Sequence, residues 1–329
     1  MTFGIDIGTT SVSGVAIDSE CRVCATVSRR HDADLSGLPS GVHAQDPHRL
    51  MTCTDEVIAE LEGRVGPCAD IGWTGQMHGV IGVDDRLDYV TEFVTWRDVR
   101  RFGGRIMAGW AAEKRPISRC LSICGLAIAR RTGRCLTDST FLHSWHMEEV
   151  GNLVPLDWLP DVDEKSMLGD NQAGVYGAQL LAPGCAVVNL GTSGQLSIVC
   201  DDAPTCVLPD AVEMRPYPGG RNLLCRASLI GGRAFEDLRV KRGLNWDEMN
   251  ACADSDEEIA ECVNKIVGDL TCGIDVSGIK SIVGIGNAIT RNPALKVAVE
   301  RQFKVGCVIS EISEMAAFGA AVFKQKSFV

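Results

Sequence analysis

Two segments of the sequence combine glycine with small hydroxyl side chains in the same order. The first consists of Gly8, Thr9, Thr10 and Ser11, and the second of Gly191, Thr192, Ser193 and Gly194. Each segment lies between two short apolar stretches, a pattern that predicts a strand, a tight turn and a second strand. Backbone N–H groups and hydroxyls in such a turn can bind phosphate oxygens. The repeat therefore predicts two similar halves, each with a phosphate-binding turn.

The two turns differ at the position two residues before the first glycine. Asp6 precedes the first turn and Asn189 precedes the second. A carboxylate holds Mg²⁺ directly or through water, whereas an amide does so less well. The sequence therefore predicts a magnesium site in the first half only, with Asp6 as its ligand. A G-x-x-x-x-G-K-[ST] motif does not occur, which excludes a P-loop enzyme.

Asp170, Asn171 and Gln172 form a polar trio between small and apolar residues. Asp170 could accept a proton from a substrate hydroxyl, and the two amides could bind sugar oxygens. The spacing alone favours the other interpretation, a turn or a helix N-cap ahead of Ala173. The residues alone leave both interpretations open.

Two further polar clusters follow predicted strands. The first is Gln76, Met77 and His78 between two glycines, and the second is Trp96, Asp98 and Arg100. Glycines at both ends of a loop allow the backbone to approach a ligand closely. Arg100 could bind vicinal hydroxyls or the Asp98 carboxylate. The alternatives are a structural histidine and a surface ion pair that contributes little to stability.

The segment from Ser281 to Gly286 predicts a buried strand that ends in a glycine loop. A helix is expected to begin after it, with Asn292 as N-cap and Pro293 in the first turn. The third glycine of a dinucleotide-binding motif is missing, so a Rossmann site is not favoured. Contact between adenosine and the backbone of Gly286 and Asn287 fits the segment better.

The composition limits the classes of function. The net charge is −11, with 45% hydrophobic and 23% charged residues, which indicates a globular protein and argues against nucleic-acid partners. The sequence lacks a signal-peptide pattern and a membrane-spanning apolar run, so we expect a cytoplasmic protein without membrane contact. The length of 329 residues predicts two domains, which we place at residues 1–178 and 179–329. The sequence does not decide the oligomeric state, and a homodimer is compatible with it.

Together, six of these motifs resemble the FGGY carbohydrate kinases, and they occur in the order found in that family. The matching segments are residues 4–11, 75–79, 95–100, 169–173, 190–194 and 284–288. The resemblance implies an α/β fold with two RNase H-like domains, as in actin-like ATPases, around an inter-domain cleft. It also implies Mg²⁺-ATP as the phosphoryl donor and a sugar hydroxyl as the acceptor.

The resemblance assigns expected roles to the motifs. Asp170 becomes the catalytic base and Asp6 the Mg²⁺-associated carboxylate. The expected substrate-binding residues are Gln76, Met77, His78, Trp96, Asp98, Arg100, Asn171 and Gln172. The expected ATP-binding residues are Gly8, Thr9, Thr10, Ser11, Gly191, Thr192, Ser193, Gly232, Gly286 and Asn287.

Within the family, residues 95–96, 169–172 and 286–293 most resemble those of sedoheptulokinases, so sedoheptulose is the first expected substrate. The alternatives are a xylulose or ribulose kinase and a catalytically weak sensor of sugar and nucleotide. Family members usually carry Lys or Arg where this chain has Ser13. We expect the loss of this cation to weaken nucleotide binding or phosphoryl transfer unless another cation, such as Arg233 or Arg291, replaces it.

Overall fold

The computed structural model describes residues 1–202 and 207–327. These residues form two compact units. Unit 1 contains Met1–Gly177 and the C-terminal segment that begins at Glu314, and unit 2 contains Ala178–Ser313. The boundary between the units falls within one helix.

Unit 1 is an α/β unit around a five-stranded sheet. Its strands are β1 (Thr2–Ile7), β2 (Ser11–Ile17), β3 (Val23–Arg30), β4 (Ala44–Gln45), β5 (Asp70–Gly75), β6 (Ile81–Val83), β7 (Phe93–Val94), β8 (Arg119–Leu121), β9 (Leu136–Thr137), β10 (Asp161–Val162) and β11 (Met167–Gly169). Its helices are α1 (Pro47–Val65), α2 (Gly103–Ala112), α3 (Ile123–Thr132), α4 (Ser139–Ser144), α5 (Asp170–Leu181), which crosses the boundary, and α11 (Met315–Lys326). Short 3₁₀ helices occupy Met147–Glu149, Gly151–Leu153 and Leu156–Trp158.

The central sheet of unit 1 has the order β11-β5-β1-β2-β3. Strands β1, β2 and β3 form an antiparallel meander, while β5 and β11 run parallel to β1. Ile7 pairs with Gly75, and Gly75 pairs with Gly169. The carboxyl ends of β1, β5 and β11 therefore meet at one edge, where ligands bind in many α/β sheets.

Helices cover both faces of this sheet. The side chain of Asp46 caps α1, and the buried face of α1 includes Leu50, Val57 and Leu61. A Cβ atom added at Gly14 of β2 would contact Val57 and Leu61, so α1 packs closely on that face. Helix α11 packs on β1 and β5 from the opposite face.

Helix α11 belongs to a different unit from the one expected from the sequence. The expected second domain ran through residue 329, but α11 contributes to unit 1. Gly4 and Gly72, which are neighbours on β1 and β5, permit this contact. A Cβ atom at Gly4 would overlap the carbonyl oxygen of Ala317, and one at Gly72 would overlap that of Ala320. The sequence pattern predicts the helix but not the sheet that it covers.

Unit 2 repeats the architecture of unit 1. Its strands are β12 (Ala186–Leu190), β13 (Gly194–Cys200), β14 (Val212–Tyr217), β15 (Arg221–Ser228), β16 (Ile282–Ile285) and β17 (Cys307–Ile309). Its helices are α6 (Gly232–Arg242), α7 (Trp246–Ala251), α8 (Glu257–Thr271), α9 (Asn287–Arg291) and α10 (Pro293–Phe303).

The sheet of unit 2 has the order β14-β15-β13-β12-β16-β17. An antiparallel set leads into β12, and β16 and β17 run parallel to β12 and to one another. Apart from the added β14, this is the strand order of unit 1. The internal repeat predicted from the two Gly-Thr segments is thus confirmed in the fold. No helix among the described residues is long and apolar enough to cross a membrane.

Candidate active site

The carboxyl edge of the unit 1 sheet brings together three segments that are distant in sequence. Asp6 lies near the end of β1, and Gln76 directly follows β5. Asp170 is the first residue of α5, immediately after β11. Because these strands are neighbours and parallel, their carboxyl ends place the three polar side chains at one edge.

Asp6 carries a partly buried carboxylate. Its Oδ1 atom is sealed from solvent and has no hydrogen-bond partner within the described residues. The pKa of Asp6 is raised to about 8, chiefly by burial and also by the negative charges of Asp170 and Glu314. Burial and like charges both disfavour the ionised form. The interaction also shows that Asp170 lies near enough to Asp6 to repel it.

Asp170 occupies the start of a helix, as one interpretation of the sequence expected. The backbone N–H of Asn171 donates to Asp170 Oδ1 over 2.7 Å. A carboxylate in the first turn is also stabilised by the helix dipole. Asn171 is partly exposed, whereas Gln172 is fully buried. The position is compatible with both a structural and a catalytic role for Asp170.

The residues at this edge fit a magnesium ion that is bound by one or two carboxylates and takes its other ligands from water and substrate. Asp6 offers an unpartnered buried oxygen, and Asp170 and Glu314 add negative charge nearby. The described residues contain no group of three or more His, Cys, Asp or Glu side chains disposed to hold a metal ion. Mg²⁺ commonly binds through one or two carboxylates together with water and substrate phosphates. The arrangement suits that kind of coordination.

The first Gly-Thr turn closes as the sequence predicted. Gly8 N–H donates to the carbonyl of Ser11 over 3.0 Å, and Thr10 is exposed at the tip of the turn. Thr9 Oγ1 accepts a hydrogen bond from the indole nitrogen of Trp96 over 2.9 Å. The turn and Trp96, which are 87 residues apart in sequence, are therefore in direct contact.

The side chains of Gln76, Met77 and His78 lie in three different environments. Gln76 is buried and donates weakly to the carbonyl of Gly8. Met77 is 5% exposed and belongs to the hydrophobic core, and its sulfur lies against Gly169. The Nδ1 atom of His78 lies 2.8 Å from the carbonyl oxygen of Ser144. Met77 thus helps to position Gly169, just before Asp170.

Within the second cluster, Trp96 is exposed, whereas Asp98 and Arg100 form an ion pair. Trp96 keeps 48% of its surface exposed and can offer its ring to a ligand. Asp98 is buried, and Arg100 binds both of its carboxylate oxygens over 2.7 Å. Burial alone would raise the pKa of Asp98, but the hydrogen bonds from Arg100 and from the backbone of His43 hold it below its usual value. Of the two partners expected for Arg100, the structure contains Asp98.

Unit 2 carries a separate cavity of about 580 Å³ beside its own Gly-Thr turn. Its lining consists of Gly191, Thr192, Gly232, Arg233, Glu236, Trp246, Asn287, Ala288, Arg291 and Asn292. Four of these residues, Gly191, Thr192, Gly232 and Asn287, are ones that were expected from the sequence to bind ATP. Ser193 and Gly286 lie in the same two loops but do not line the cavity.

Glycines bring the backbone segments around this cavity close together. Gly232 N–H, at the start of α6, donates to the carbonyl of Gly191 over 2.9 Å. A Cβ atom at Gly232 would overlap Ala288. Gly286 has a φ of +91° and lies against Asn189, a conformation that favours glycine. These contacts join the turn, α6 and α9 into one wall.

The sequence analysis missed Trp246 and Glu236 as cavity residues. Trp246 begins α7 and is 39% exposed, and the guanidinium of Arg239 lies 4.5 Å from its ring centroid. A tryptophan at a helix start has no distinctive spacing, so only its exposure in a concave site marks it. Arg233 and Arg291, which the sequence analysis named as replacement cations, both line the cavity.

Ser13 lies directly opposite Asp6 across β1 and β2. It is buried, and its hydroxyl lies 2.8 Å from that of Ser28. A lysine or arginine here would place a cation beside the Asp6 carboxylate. The chain instead has a neutral hydroxyl pair at this position, so the high pKa of Asp6 is not offset from this side.

The N-terminal part of the sequence is similar to a known protein family and to known enzymes. Residues 1–126 match the N-terminal domain model of the FGGY family of carbohydrate kinases. A xylulose kinase from Bacillus subtilis (strain 168) is 30% identical over 101 residues. That segment covers 30% of this chain and 20% of the relative, so the match spans about a fifth of the relative's length.

Solved structures share the fold at low sequence identity. A ligand-bound xylulose kinase from Lactobacillus acidophilus has a TM-score of 0.80 and 16% identity, covering 99% of this chain and 89% of that one. Plasmodium falciparum glycerol kinase with ADP has a TM-score of 0.76 and 16% identity, covering 100% and 90%. These likenesses support the actin-like fold of two RNase H-like units. The first 126 residues are thus similar to the N-terminal domain of the FGGY family of carbohydrate kinases.

Proposed function

We propose that this chain is an ATP-dependent carbohydrate kinase that transfers the γ-phosphate of ATP to a hydroxyl of a ketose. The observation that carries this proposal is the pair of repelling carboxylates, Asp6 and Asp170, at the carboxyl edge of the unit 1 sheet. Phosphoryl transfer needs a base at the acceptor hydroxyl and charge neutralisation at the phosphates. Two carboxylates can divide these tasks.

In this proposal Asp170 accepts the proton of the attacking hydroxyl. Asp6, with its unpartnered Oδ1, would hold Mg²⁺, and that ion would supply positive charge at the phosphate oxygens. Trp96, Gln76 and Asn171 would contact the sugar, and the Asp98–Arg100 pair would support the loop that carries Trp96. His78 would fix its own loop through Ser144.

The unit 2 cavity would hold the nucleotide. The N-terminus of α6, an 11-residue helix, carries the positive end of the helix dipole, which would favour a phosphate group nearby. Arg233 and Arg291 line the same cavity and would contribute positive charge at the phosphates. The exposed ring of Trp246 would offer a stacking surface for the adenine base.

Xylulose is the first candidate for the acceptor, in place of sedoheptulose, which the sequence analysis put first. The curated relatives with significant similarity include xylulose kinases from Bacillus subtilis and Lactococcus lactis. Their matches cover about a fifth of each relative, so the sugar is part of the proposal. Sedoheptulose and ribulose are the next candidates.

A second function, a sensor that binds sugar and nucleotide without turnover, is favoured by one observation. Ser13 faces Asp6 where the resemblance implies a cation. Loss of that charge would weaken transfer more than binding, because charge develops on the phosphate oxygens during transfer.

The test is ADP release with Mg²⁺-ATP and D-xylulose, D-ribulose, sedoheptulose or glycerol. Asp170→Asn is compared with Asp85→Asn, an exposed carboxylate in the same unit. We expect sugar-dependent turnover that falls by about 10²–10⁴-fold in Asp170→Asn, as for loss of a general base, and that stays unchanged in the control. Binding of sugar and ATP without turnover would instead establish the sensor. ADP release at the same rate with and without sugar would contradict both proposals.

A further inference from the structure

We propose that Gln45 is a positioning residue that fixes the Thr9 turn and Gln76 in one arrangement. This inference rests on the proposed kinase function and adds a residue that none of the sequence motifs contains. Gln45 ends the two-residue strand β4, directly before the cap of α1, and its side chain is 0% exposed.

The amide of Gln45 uses both of its hydrogens and its oxygen. Nε2 donates to the carbonyl of Thr9 over 2.7 Å and to Asp34 Oδ1 over 2.6 Å. Oε1 accepts from Nε2 of Gln76 over 2.9 Å. Carbonyl and carboxylate oxygens can only accept, so the orientation of the Gln45 amide is determined. The orientation of the Gln76 amide follows from it.

The direction of donation continues from Gln76 to an exposed ring. With its nitrogen on Gln45, Gln76 turns Oε1 toward the Thr9 hydroxyl, which donates over 3.4 Å. That hydroxyl oxygen accepts from the indole nitrogen of Trp96 over 2.9 Å. An indole nitrogen can only donate. Every hydrogen bond in this network therefore has one possible direction. Gln45 contacts the Thr9 turn twice, directly through the Thr9 carbonyl and indirectly through Gln76 and the Thr9 hydroxyl.

The side chain of Gln45 is not required to hold its own segment in place. β4 pairs with β7, where Gln45 stands opposite Phe93. The next residue, Asp46, donates its backbone N–H to Ala33 over 2.8 Å and caps α1 with its carboxylate. These bonds fix the backbone, so the amide is free to act on Thr9 and Gln76. Thr9 belongs to the proposed phosphate turn, and Trp96 is the proposed sugar platform.

The experiment exchanges the amide and the carboxylate of one bonded pair. Gln45→Glu can accept from Gln76 but cannot donate to Thr9 or to Asp34. In the double variant Gln45→Glu/Asp34→Asn, the new amide can donate to the new carboxylate, while the Thr9 carbonyl stays without its donor. Gln302→Glu is the matched control, because Gln302 is exposed in unit 2 and donates to the Thr271 hydroxyl over 2.8 Å.

Thermal stability and steady-state kinetics with the sugar that supports turnover are measured for all four proteins. We expect Gln45→Glu to lower both the Tm and kcat. The value of kcat should fall about tenfold or more, because the hydrogen bond that positions the Thr9 carbonyl is lost. The double variant should recover part of the lost Tm, because the amide–carboxylate bond is restored although the carboxylate is now buried, but it should not recover kcat. Recovery of both quantities, or unchanged kinetics in Gln45→Glu, would show that Gln45 acts only on stability.

A second readout does not depend on turnover. The Trp96 indole N–H gives a nuclear magnetic resonance signal that is assigned by its loss in Trp96→Phe. We expect this signal to shift in Gln45→Glu and in the double variant, but not in Gln302→Glu. An unshifted signal in Gln45→Glu would contradict the network even in an active enzyme. If the native protein lacks kinase activity, the kinase proposal fails, and this signal alone decides the role of Gln45.

Discussion

The buried carboxylates of unit 1 show how one residue type acquires different properties. Asp98 is buried but paired with Arg100, and its pKa is lowered. Asp138 is buried and Asp6 is partly buried, neither forms an ion pair with another described residue, and the pKa values of both are raised. Burial disfavours a charge unless a partner compensates it. An unpaired buried carboxylate therefore needs either a proton or a cation.

Asp138, which is not one of the proposed metal ligands, provides a pH-dependent test of this principle. Burial raises its pKa to about 7, although hydrogen bonds from Thr140 and the backbone of Phe141 offset part of the effect. The folded state binds the proton more tightly than the unfolded state, whose value is 3.8. Its contribution to stability is therefore largest at low pH and is lost as the pH rises from about 4 to 7.

We expect Asp138→Asn to flatten that decline, because the amide stays neutral and can still accept from Phe141. At pH 8 the variant should be more stable than the native protein by roughly 1–4 kcal/mol. Urea unfolding at pH 5 and pH 8 measures the difference, with Asp85→Asn as the exposed control. A variant that is less stable at pH 8 would show that the hydrogen bonds of the carboxylate outweigh its burial.

Trp246 tests the proposed nucleotide cavity of unit 2. Replacing the exposed ring by alanine should weaken ATP binding by about 1–3 kcal/mol, the range found for base stacking on an aromatic side chain. Titration calorimetry with ATP measures the effect, and Trp96→Ala in unit 1 serves as the crossed control. Equal ATP affinity in Trp246→Ala and the native protein would remove Trp246 from the site.

Among the elements, α11 depends most on residues that are distant in sequence. Gly4 and Gly72 leave the space that its backbone occupies, and Gly319 of α11 lies against Ala173 of α5. Helix α5 begins with Asp170, so the packing of α11 also supports the position of that carboxylate. Three glycines thus hold two helices close to the sheet that carries the candidate site.

Gly4→Ala should therefore destabilise the protein. The new methyl group would overlap the carbonyl of Ala317, which belongs to the helix backbone and cannot move alone. We expect a loss of about 1–3 kcal/mol or more, as for overpacked cores. Gly109→Ala in α2 is the control, because a Cβ atom there meets open space. The control should gain about 0.5–1 kcal/mol from helix propensity, and a loss of similar size in both variants would contradict the packing argument.

At the scale of the whole molecule, each unit contains its own hydrophobic core. One core lies within unit 1 and includes residues of β1, β5 and α1. Another lies within unit 2 and includes residues of β12, α8 and α10. The chain leaves unit 1, forms unit 2, and returns to unit 1 with α11. Unit 1 is thus built from both ends of the sequence.

A chain that ends at Ser313 tests this organisation. It lacks Met315, Phe318 and Val322, which are buried in α11, so the apolar face of β1 and β5 would be exposed to water. We expect amide hydrogens of β1 and β5 to lose their protection from exchange, while those of β12 and α8 keep it. Hydrogen exchange read by mass spectrometry gives both in one experiment. Retained protection in β1 would show that α11 is dispensable for unit 1.

The sequence alone determined the features that local spacing encodes. The Gly-Thr repeat predicted two similar halves, and the asymmetry between Asp6 and Asn189 predicted different roles for them. The turns, the start of α10 at Pro293 and the family resemblance also follow from short segments. Such features depend on backbone conformation and residue type within a few positions, so they can be recognised without the fold.

Only the tertiary structure decided which distant residues meet. It placed α11 on the first sheet, Trp246 in the unit 2 cavity, and Gln45 between Thr9 and Gln76. Gln45 stands 36 residues from Thr9 and 31 from Gln76, and no local pattern marks it. Hydrogen bonds between buried amides depend on strand register and on burial, and these are properties of the whole sheet.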